Sequence, residues 1–105
     1  MRRGDIRWYK FQTPDKKRPV LILHRDDIID HLSEISIAPV TTTIRDIPSE
    51  VFLSSVRDGV PRDCAVNMDH IQTVPKSRIG SLITTLSPLR MESVNYALKF
   101  ALGVD

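Results

Sequence analysis

The feature that most constrains the fold is a series of short strand-like segments followed by one longer amphipathic segment. Turn residues, with Asp58-Gly59 in residues 57–63 as a strong signal, separate seven short runs that are rich in apolar or β-branched side chains. These runs are residues 5–11, 19–23, 35–41, 50–53, 64–68, 71–74 and 81–86. Short runs of this kind are typical of β-strands. The sequence therefore predicts a small, mostly antiparallel β-barrel or curled sheet, in the mainly β or α+β class.

The C-terminal segment predicts an α-helix that begins at Pro88. Ser87 is placed to cap this helix, proline is favoured at a first helical position, and Gly103 is a natural C-terminal stop. Apolar residues recur between them at three- and four-residue steps: Met91, Val94, Leu98, Ala101 and Leu102. Residues 25–34 are polar with apolar residues at helical spacing, which predicts either one helical turn or a loop.

Size and composition fit a single domain over residues 1–105. The hydrophobic fraction of the 105 residues is 41%, which suits one core rather than two. No apolar run is long enough to span a bilayer, and residues 1–8 lack the apolar stretch of a signal peptide. The single cysteine, Cys64, cannot form an internal disulfide or a cysteine-based zinc site, so the cytoplasm is the simplest compartment.

Positive charge is concentrated at the start of the chain. The net charge is only +2, yet seven cations lie in the first eighteen residues: Arg2, Arg3, Arg7, Lys10, Lys16, Lys17 and Arg18. Only Asp5 and Asp15 oppose them. A basic segment of this kind suggests an anionic partner such as nucleic acid, although a solvated surface is the simpler explanation of the charge pattern alone.

Several catalytic motifs are missing from the sequence. His24, His31 and His70 occur at unrelated spacings, without a His-x-x-His or Cys-x-x-Cys motif. There is also no glycine-rich phosphate loop and no Gly-x-Ser-x-Gly elbow. These absences argue against zinc enzymes, nucleotide-binding enzymes and serine hydrolases. They leave open a metal-free phosphoryl chemistry based on a few cationic and hydroxyl groups.

Two candidate groups lie at strand ends. The guanidinium of Arg18 can bind two phosphate oxygens at once, and Pro19 biases Arg18 towards an extended conformation. A surface arginine beside a strand is the alternative. Thr41, Thr42 and Thr43 would present hydroxyl groups at the end of a strand, but threonine is also an ordinary strand residue.

The remaining candidates have ordinary structural explanations. Asp69 and His70 could serve in acid–base chemistry, but neighbours along a strand point to opposite faces, and a turn carboxylate is the default for Asp69. Cys64 is expected as a small core residue. Trp8 is expected in the core or at an interface rather than as a platform for base stacking.

Four segments occur in the order typical of one protein family: "RRGDIRW", "KRPVLIL", "IAPVTTT" and "VNMDHIQTV". In this respect nearly the whole chain resembles the MazF/PemK endoribonuclease toxins of toxin–antitoxin systems. The short hairpin loop and "DCAVNMDHI" are most similar to the mycobacterial branch. The resemblance implies a small SH3-like barrel with a C-terminal helix, assembled as a homodimer.

The resemblance also implies roles for individual residues. The family's catalytic arginine and threonine correspond to Arg18 and Thr41, and its motif aspartate corresponds to Asp69. Asn67 stands where some relatives have a further arginine, and His70 stands where many have glutamine. The general base stays open, with His24, Asp69 and His70 as candidates. A predicted RNA-binding set is Lys16, Lys17, Thr42, Thr43, Arg45 and Asn67.

The implied reaction needs neither metal nor cofactor. The 2′-hydroxyl of single-stranded RNA attacks the adjacent phosphate and leaves a 2′,3′-cyclic phosphate or 3′-phosphate and a 5′-hydroxyl, so DNA is not cleaved. Residues 12–17 and 42–49 would border the RNA groove, and the acidic tail of a MazE-like antitoxin would cover it. The alternatives are a toxin of the same fold that poisons gyrase and an RNA-binding barrel without catalysis.

Overall fold

The computed structural model describes residues 1–11 and 16–105. The strands of the described residues are β1 (Asp5–Lys10), β2 (Lys17–Ile22), β3 (Glu34–Thr41), β4 (Glu50–Leu53), β5 (Cys64–Asn67), β6 (Gln72–Pro75) and β7 (Ile79–Thr85). The α-helices are α1 (Asp26–Ile29) and α2 (Pro88–Leu102), and two 3₁₀ turns span Met68–His70 and Lys76–Arg78. All seven predicted strands are therefore present, and within residues 25–34 the helical alternative is found as the single turn Asp26–Ile29.

One antiparallel sheet contains all of these strands, in the order β4-β5-β3-β2-β1-β7, with β6 paired to β3. β3 lies at its centre. One edge of β3 pairs with β2, and the other pairs first with β6 and then, at Val40 and Thr41, with β5. The result is a curled sheet, a half-barrel with a C-terminal helix, which confirms the predicted fold class.

The two faces of the sheet pack against different parts of the core. Ile6, Leu21, Ala38 and Val40 belong to a cluster that includes Val94 and other residues of α2. The alternate residues of the same strands form a second cluster, covered by Ile29 of α1: Tyr9, Val20, Ile22, Ile35 and Ile37. Successive strand residues point to opposite faces. Strands buried on both faces explain why β2 and β3 are nearly continuous apolar runs.

Helix α2 has the predicted bounds because both of its ends are capped. The Ser87 hydroxyl accepts a hydrogen bond from the Arg90 N–H at 3.1 Å, and Gly103 adopts the left-handed conformation at φ 69°. Val94 and Ala97 are buried, but Leu102 is 61% exposed, so its predicted place on the apolar face is wrong. At 3.6 residues per turn, Leu102 lies about 80° around the helix from Val94, at the edge of the buried stripe.

Asp5 ties the first strand to the last. Its carboxylate accepts hydrogen bonds from the Arg2 N–H at 3.0 Å, from Arg7 Nε at 3.2 Å and from the Thr85 hydroxyl at 2.9 Å. Burial by itself raises the pKa of Asp5, but the bonds from Thr85, Arg2 and Arg7 outweigh burial and the pKa is lowered. The aspartate of "RRGDIRW" therefore stabilises the β1–β7 edge of the sheet.

Two local differences from the sequence-based expectations affect the candidate site. β2 begins at Lys17 rather than at Pro19, so Arg18 is a strand residue, paired with Tyr9 of β1. Asp69 and His70 lie in the 3₁₀ turn Met68–His70, so the alternation of a strand does not apply to them. Within residues 1–11 and 16–105, no helix is long and apolar enough to cross a membrane.

Candidate active site

Arg18 and Thr41 lie on neighbouring strands, at the start of β2 and the end of β3. The register between these strands pairs Ile22 with Ile37 and ends at the Val20–Pro39 pair. Two positions beyond that last pair, the same register leads to Arg18 and Thr41. Arg18 shares a face with Val20, and Thr41 shares the face of Pro39, so the two side chains lie on one side of the sheet. Arg18 is exposed and Thr41 is half-buried.

The orientation of Thr41 is fixed by contacts on its own side of the strand end. Its backbone position pairs with Ala65 of β5, and its hydroxyl oxygen accepts a hydrogen bond from the Thr43 N–H at 3.1 Å. A hydroxyl has one hydrogen to donate and can accept through two lone pairs. Within residues 1–11 and 16–105 the Thr41 hydroxyl has no acceptor of its own, so its hydrogen can donate to an anionic oxygen.

A cavity of about 250 Å³ opens at these strand ends. Its walls are mostly apolar and come from β1, β2, the end of β3, the segment before β5 and the first residue of β5: Trp8, Pro19, Val40, Thr41, Thr42, Val60, Pro61, Arg62 and Cys64. Burial raises the pKa of the Cys64 thiol to about 11, and the nearby carboxylates of Asp63 and Asp58 contribute. Cys64 is thus a buried thiol, as expected, but it also lines a cavity beside Thr41.

Cationic side chains line a second hollow, which shares Trp8 with the cavity described above. Lys10, Lys17 and Arg78 line a hollow of about 80 Å³ together with Trp8. Arg78 is held there by a hydrogen bond from its Nη1 to the Lys10 carbonyl at 3.3 Å. Lys16 and Lys17 are both exposed. The predicted groove border at residues 12–17 is described only at these two lysines, because residues 12–15 lie outside the described part of the chain.

The predicted border at residues 42–49 is a loop that is exposed over residues 42–48, whereas Ser49 is buried. Thr42 and Thr43 follow directly from β3 and are exposed. The Arg45 N–H donates to Glu50 Oε1 at 2.9 Å, and its guanidinium forms an ion pair with Glu50 Oε2 at 3.4 Å. The Arg45 side chain is still 52% exposed, so an anion can approach the guanidinium from solvent.

Asp69 and Asn67 are engaged in a turn with Ser49. The Ser49 hydroxyl donates to Asp69 Oδ2 at 2.6 Å, and the Asp69 N–H donates to the Asn67 side-chain oxygen at 2.9 Å. Asn67 is buried and caps the 3₁₀ turn. The structure therefore brings Asp69 together with Ser49 and Asn67, and the predicted roles of Asp69 in catalysis and Asn67 in RNA binding stay predictions.

The two candidate histidines lie apart from Arg18. His24 Nδ1 accepts a hydrogen bond from the Ser36 N–H at 3.1 Å, beyond the far end of β2. His24 follows Arg18 by six positions, which corresponds to about 20 Å along an extended chain. His70 is exposed in the turn that contains Asp69. Among residues 1–11 and 16–105, no group of three His, Cys, Asp or Glu side chains could hold a metal ion.

Sequence reasoning missed the contribution of residues 57–63, which it interpreted only as a turn. Gly59 has a φ of +77°, and a side chain there would collide with the Thr84 hydroxyl, so the predicted Asp58–Gly59 turn is real. Asp58 anchors it by accepting bonds from the Ser54 N–H at 2.7 Å and Arg90 Nε at 3.1 Å. The turn signal gave no indication that the next residues, Val60 to Arg62, form a cavity wall.

One family model and several related proteins match most of this chain. A model of PemK-like, MazF-like toxins of type II toxin–antitoxin systems matches residues 2–102. A probable endoribonuclease MazF2 of Mycobacterium tuberculosis is 39% identical over 103 residues, covering 98% of this chain and 99% of that protein. Endoribonuclease MazF3 of the same organism is 37% identical over 87 residues, covering 79% and 84% of the two chains.

Solved structures show the same similarity. The Mycobacterium tuberculosis toxin MazF-mt6 superposes with a TM-score of 0.86 at 33% identity, over 96% of this chain and 98% of that chain. An endoribonuclease in complex with its cognate antitoxin, from a mycobacterial species, also gives a TM-score of 0.86, at 28% identity over 100% and 97% of the two chains.

Proposed function

Because the chain belongs to the PemK-like, MazF-like toxin family of type II toxin–antitoxin systems, we propose that it is an endoribonuclease toxin that cuts single-stranded RNA without a metal ion. Relatives that match most of the chain are named endoribonucleases. The observation that carries the assignment of the site is the placement of Arg18 and Thr41 on one face, at adjoining strand ends. A cation and a hydroxyl donor side by side on one face suit a phosphate group.

The reaction that fits these groups is an internal transesterification. The 2′-oxygen of the RNA forms a bond to the adjacent phosphorus, and the bond from phosphorus to the 5′-oxygen breaks. The 2′-hydroxyl loses its proton to a base, and the departing 5′-oxygen gains one. The products are a 2′,3′-cyclic phosphate, which water can open to a 3′-phosphate, and a 5′-hydroxyl. DNA lacks the attacking group and is not cut.

Arg18 and Thr41 act on the charge that develops on the phosphate. The guanidinium of Arg18 binds both non-bridging oxygens, and the hydroxyl hydrogen of Thr41 binds one of them. A guanidinium remains protonated near neutral pH, so Arg18 stabilises negative charge and can donate to the departing 5′-oxygen, but it does not remove the proton. Loss of one such donor typically costs about 10²–10³-fold in rate.

Affinity that does not depend on sequence would come from the cations around the site. Lys16, Lys17 and the half-exposed Arg45 are placed to bind RNA phosphates. The exposed Thr42 and Thr43 hydroxyls can add hydrogen bonds to the RNA backbone. A MazE-like antitoxin with an acidic disordered segment would compete for the same cations. A mycobacterial relative has been solved in complex with its cognate antitoxin.

Two further properties complete the proposal. The protein acts as a homodimer in the cytoplasm. Dimerisation would cover apolar side chains that a single copy leaves exposed on α2, such as Tyr96 at 70% and Phe100 at 55%. A single cysteine, buried as a thiol, fits a reducing compartment.

One cleavage assay tests the proposed function. Purified protein is incubated with end-labelled single-stranded RNA in EDTA, beside Arg18→Ala and Thr41→Ala. Arg25→Ala is the matched control, because Arg25 is an exposed arginine whose partner is Asp27 of α1. We expect the wild type and the control to leave cyclic phosphate ends, and the two site variants to bind RNA but cut it far more slowly.

Three results would contradict the proposal. Equal cleavage by Arg18→Ala would remove Arg18 from its role, and cleavage that stops in EDTA would overturn the metal-free mechanism. Wild-type protein that binds RNA but never cuts it would favour an RNA-binding barrel. Inhibition of gyrase without RNA cleavage would favour the gyrase-poisoning class.

A further inference from the structure

The cavity beside Thr41 has the size and lining expected for one flat ring system. Its volume of about 250 Å³ lies just below the usual range of sites for drug-sized molecules. The walls are mostly apolar, with Trp8 and Pro19 as paired neighbours on β1 and β2. A nucleobase is a flat group that stacks on aromatic side chains of this kind.

The cavity is also positioned to take the base of a nucleotide whose phosphate lies at Arg18 and Thr41. Trp8, Pro19 and Val40 lie on the face of the sheet opposite to Arg18 and Thr41, because neighbours along a strand alternate. The cavity reaches the strand end itself, where Thr41 and Thr42 form part of its wall. A nucleotide whose phosphate lies on one face can therefore turn its base around the strand end into the cavity.

We propose that this cavity receives one unpaired nucleobase of the RNA, next to the phosphate held by Arg18 and Thr41, and that cavity shape sets the preference for that base. This proposal rests on the proposed function, because that function defines which phosphate is cut. The exposed cation Arg62 at the same cavity favours an anionic strand over an apolar peptide as occupant. Because the lining is mostly apolar, the base is selected by size and stacking rather than by paired hydrogen bonds.

The fluorescence of Trp8 can report whether the cavity is occupied, because Trp8 is the only tryptophan in the chain. The probe is a single-stranded RNA methylated at every 2′-oxygen, which cannot be cut by the proposed reaction. We expect this RNA to quench Trp8 fluorescence in a saturable manner. The same titration, followed by anisotropy of a labelled probe, gives binding independently of Trp8.

Variants that fill the cavity test its role. Pro61→Phe adds an aromatic ring from an exposed position of the wall, and Val60→Phe adds one from a buried position, with circular dichroism to check folding. Val56→Phe is the matched control, because Val56 is 91% exposed and does not line the cavity. Loss of one stacked base should weaken binding of the probe by about 5- to 150-fold in Pro61→Phe and in folded Val60→Phe, but not in Val56→Phe.

Cleavage of a randomised RNA pool shows whether the cavity determines specificity. We expect the filled variants to change the base preference at one position next to the cut, in favour of smaller bases, and to leave the other positions unchanged. The proposal is overturned if RNA binds without quenching Trp8. It is also overturned if Pro61→Phe and every folded cavity variant preserve the wild-type preference and affinity, or if they alter only the oligomeric state in sedimentation experiments.

The experiments can contradict the proposed function and the proposed base site independently of each other. If the wild type cuts no unmodified RNA, but the methylated probe quenches Trp8 and Pro61→Phe weakens binding, then the endoribonuclease assignment fails and the base site stands. If the wild type cuts RNA and saturating probe does not quench Trp8 fluorescence, then the endoribonuclease assignment is supported and the base site is contradicted.

Discussion

The backbone N–H of Thr43 donates a hydrogen bond to the hydroxyl oxygen of Thr41 at 3.1 Å. This bond holds the Thr41 side chain at the strand end and leaves its hydrogen free for a phosphate oxygen. We expect Thr41→Val, which keeps the shape but removes the donor, to lower kcat/KM for RNA cleavage by about 10²–10³-fold. Thr41→Ser keeps the hydroxyl and should retain most of the activity.

A threonine elsewhere in the sheet provides the control for that comparison. Thr73 is exposed on β6, opposite Ser36, and Thr73→Val should cleave RNA like the wild type. If Thr41→Val and Thr41→Ser were equally impaired, the contribution of Thr41 would be packing at the strand end rather than hydrogen bonding to the phosphate.

The strands and the C-terminal helix could be predicted because their signals are local. The apolar runs, the cap at Ser87 and the stop at Gly103 each depend on a few neighbouring residues. The pairing of Arg18 with Thr41 is different, because 22 residues lie between them in the sequence and no local pattern sets the register of two strands. Their association in the sequence analysis came from the family resemblance.

Other features depended on tertiary contacts that the sequence does not display. Asp5 counts as an ordinary surface charge in the basic N-terminal segment, yet it is 3% exposed and joins β1 to β7. Trp8 was expected in the core or at an interface, and it is a half-buried cavity wall. That wall exists because residues 60–62 fold over the strand ends, which turn residues alone cannot indicate.

Lys17 should contribute to RNA affinity in a salt-dependent way. It is exposed at the start of β2 and lines the cationic hollow beside Trp8. For single-stranded nucleic acid, each neutralised phosphate contributes about −0.7 to the slope of log K against log salt. We expect Lys17→Ala to make the slope less negative by about that amount, measured by titration with the methylated RNA at several salt concentrations.

Lys99→Ala is the matched control for Lys17→Ala, since Lys99 is an exposed lysine in the last turn of α2. Its slope should equal that of the wild type. An unchanged slope for Lys17→Ala, with affinity reduced at every salt concentration, would show that Lys17 does not contact a phosphate.

Asp5 should make the stability of the fold dependent on acid pH. Its pKa is lowered in the folded protein, so its stabilising contribution is complete above the unfolded value of about 3.9 and is lost as pH falls through the folded value. We expect Asp5→Asn to lower the free energy of unfolding at pH 7 by about 1–3 kcal/mol. Denaturant unfolding across the acid range should show the wild type and variant converging below pH about 4.

An exposed aspartate separates this effect from a general loss of charge. Asp27→Asn removes a carboxylate that is paired with Arg25 at the surface, and its unfolding curve should follow the wild type closely at every pH. A constant difference between Asp5→Asn and the wild type from pH 7 down to the acid limit would show that the folded pKa of Asp5 is not lowered.

Cys64 should react slowly with alkylating reagents while the protein is folded. Burial raises the pKa of its thiol to about 11, with further contributions from Asp63 and Asp58, and only the thiolate is nucleophilic. At pH 8 about 0.1% of such a thiol is ionised, against about a quarter of an ordinary cysteine with a pKa near 8.5. We expect iodoacetamide to modify the guanidinium-unfolded chain at least about 100-fold faster than the folded one at pH 8.

The pH profile of this reaction distinguishes a raised pKa from simple shielding by the cavity walls. If ionisation limits the rate, alkylation of the folded protein should accelerate about tenfold per pH unit through pH 9 and 10. Asp63→Asn removes an exposed charge close to the thiol, so it should increase the rate at a given pH. A folded-state rate that levels off near pH 9 would mean that Cys64 ionises normally and is only sterically protected.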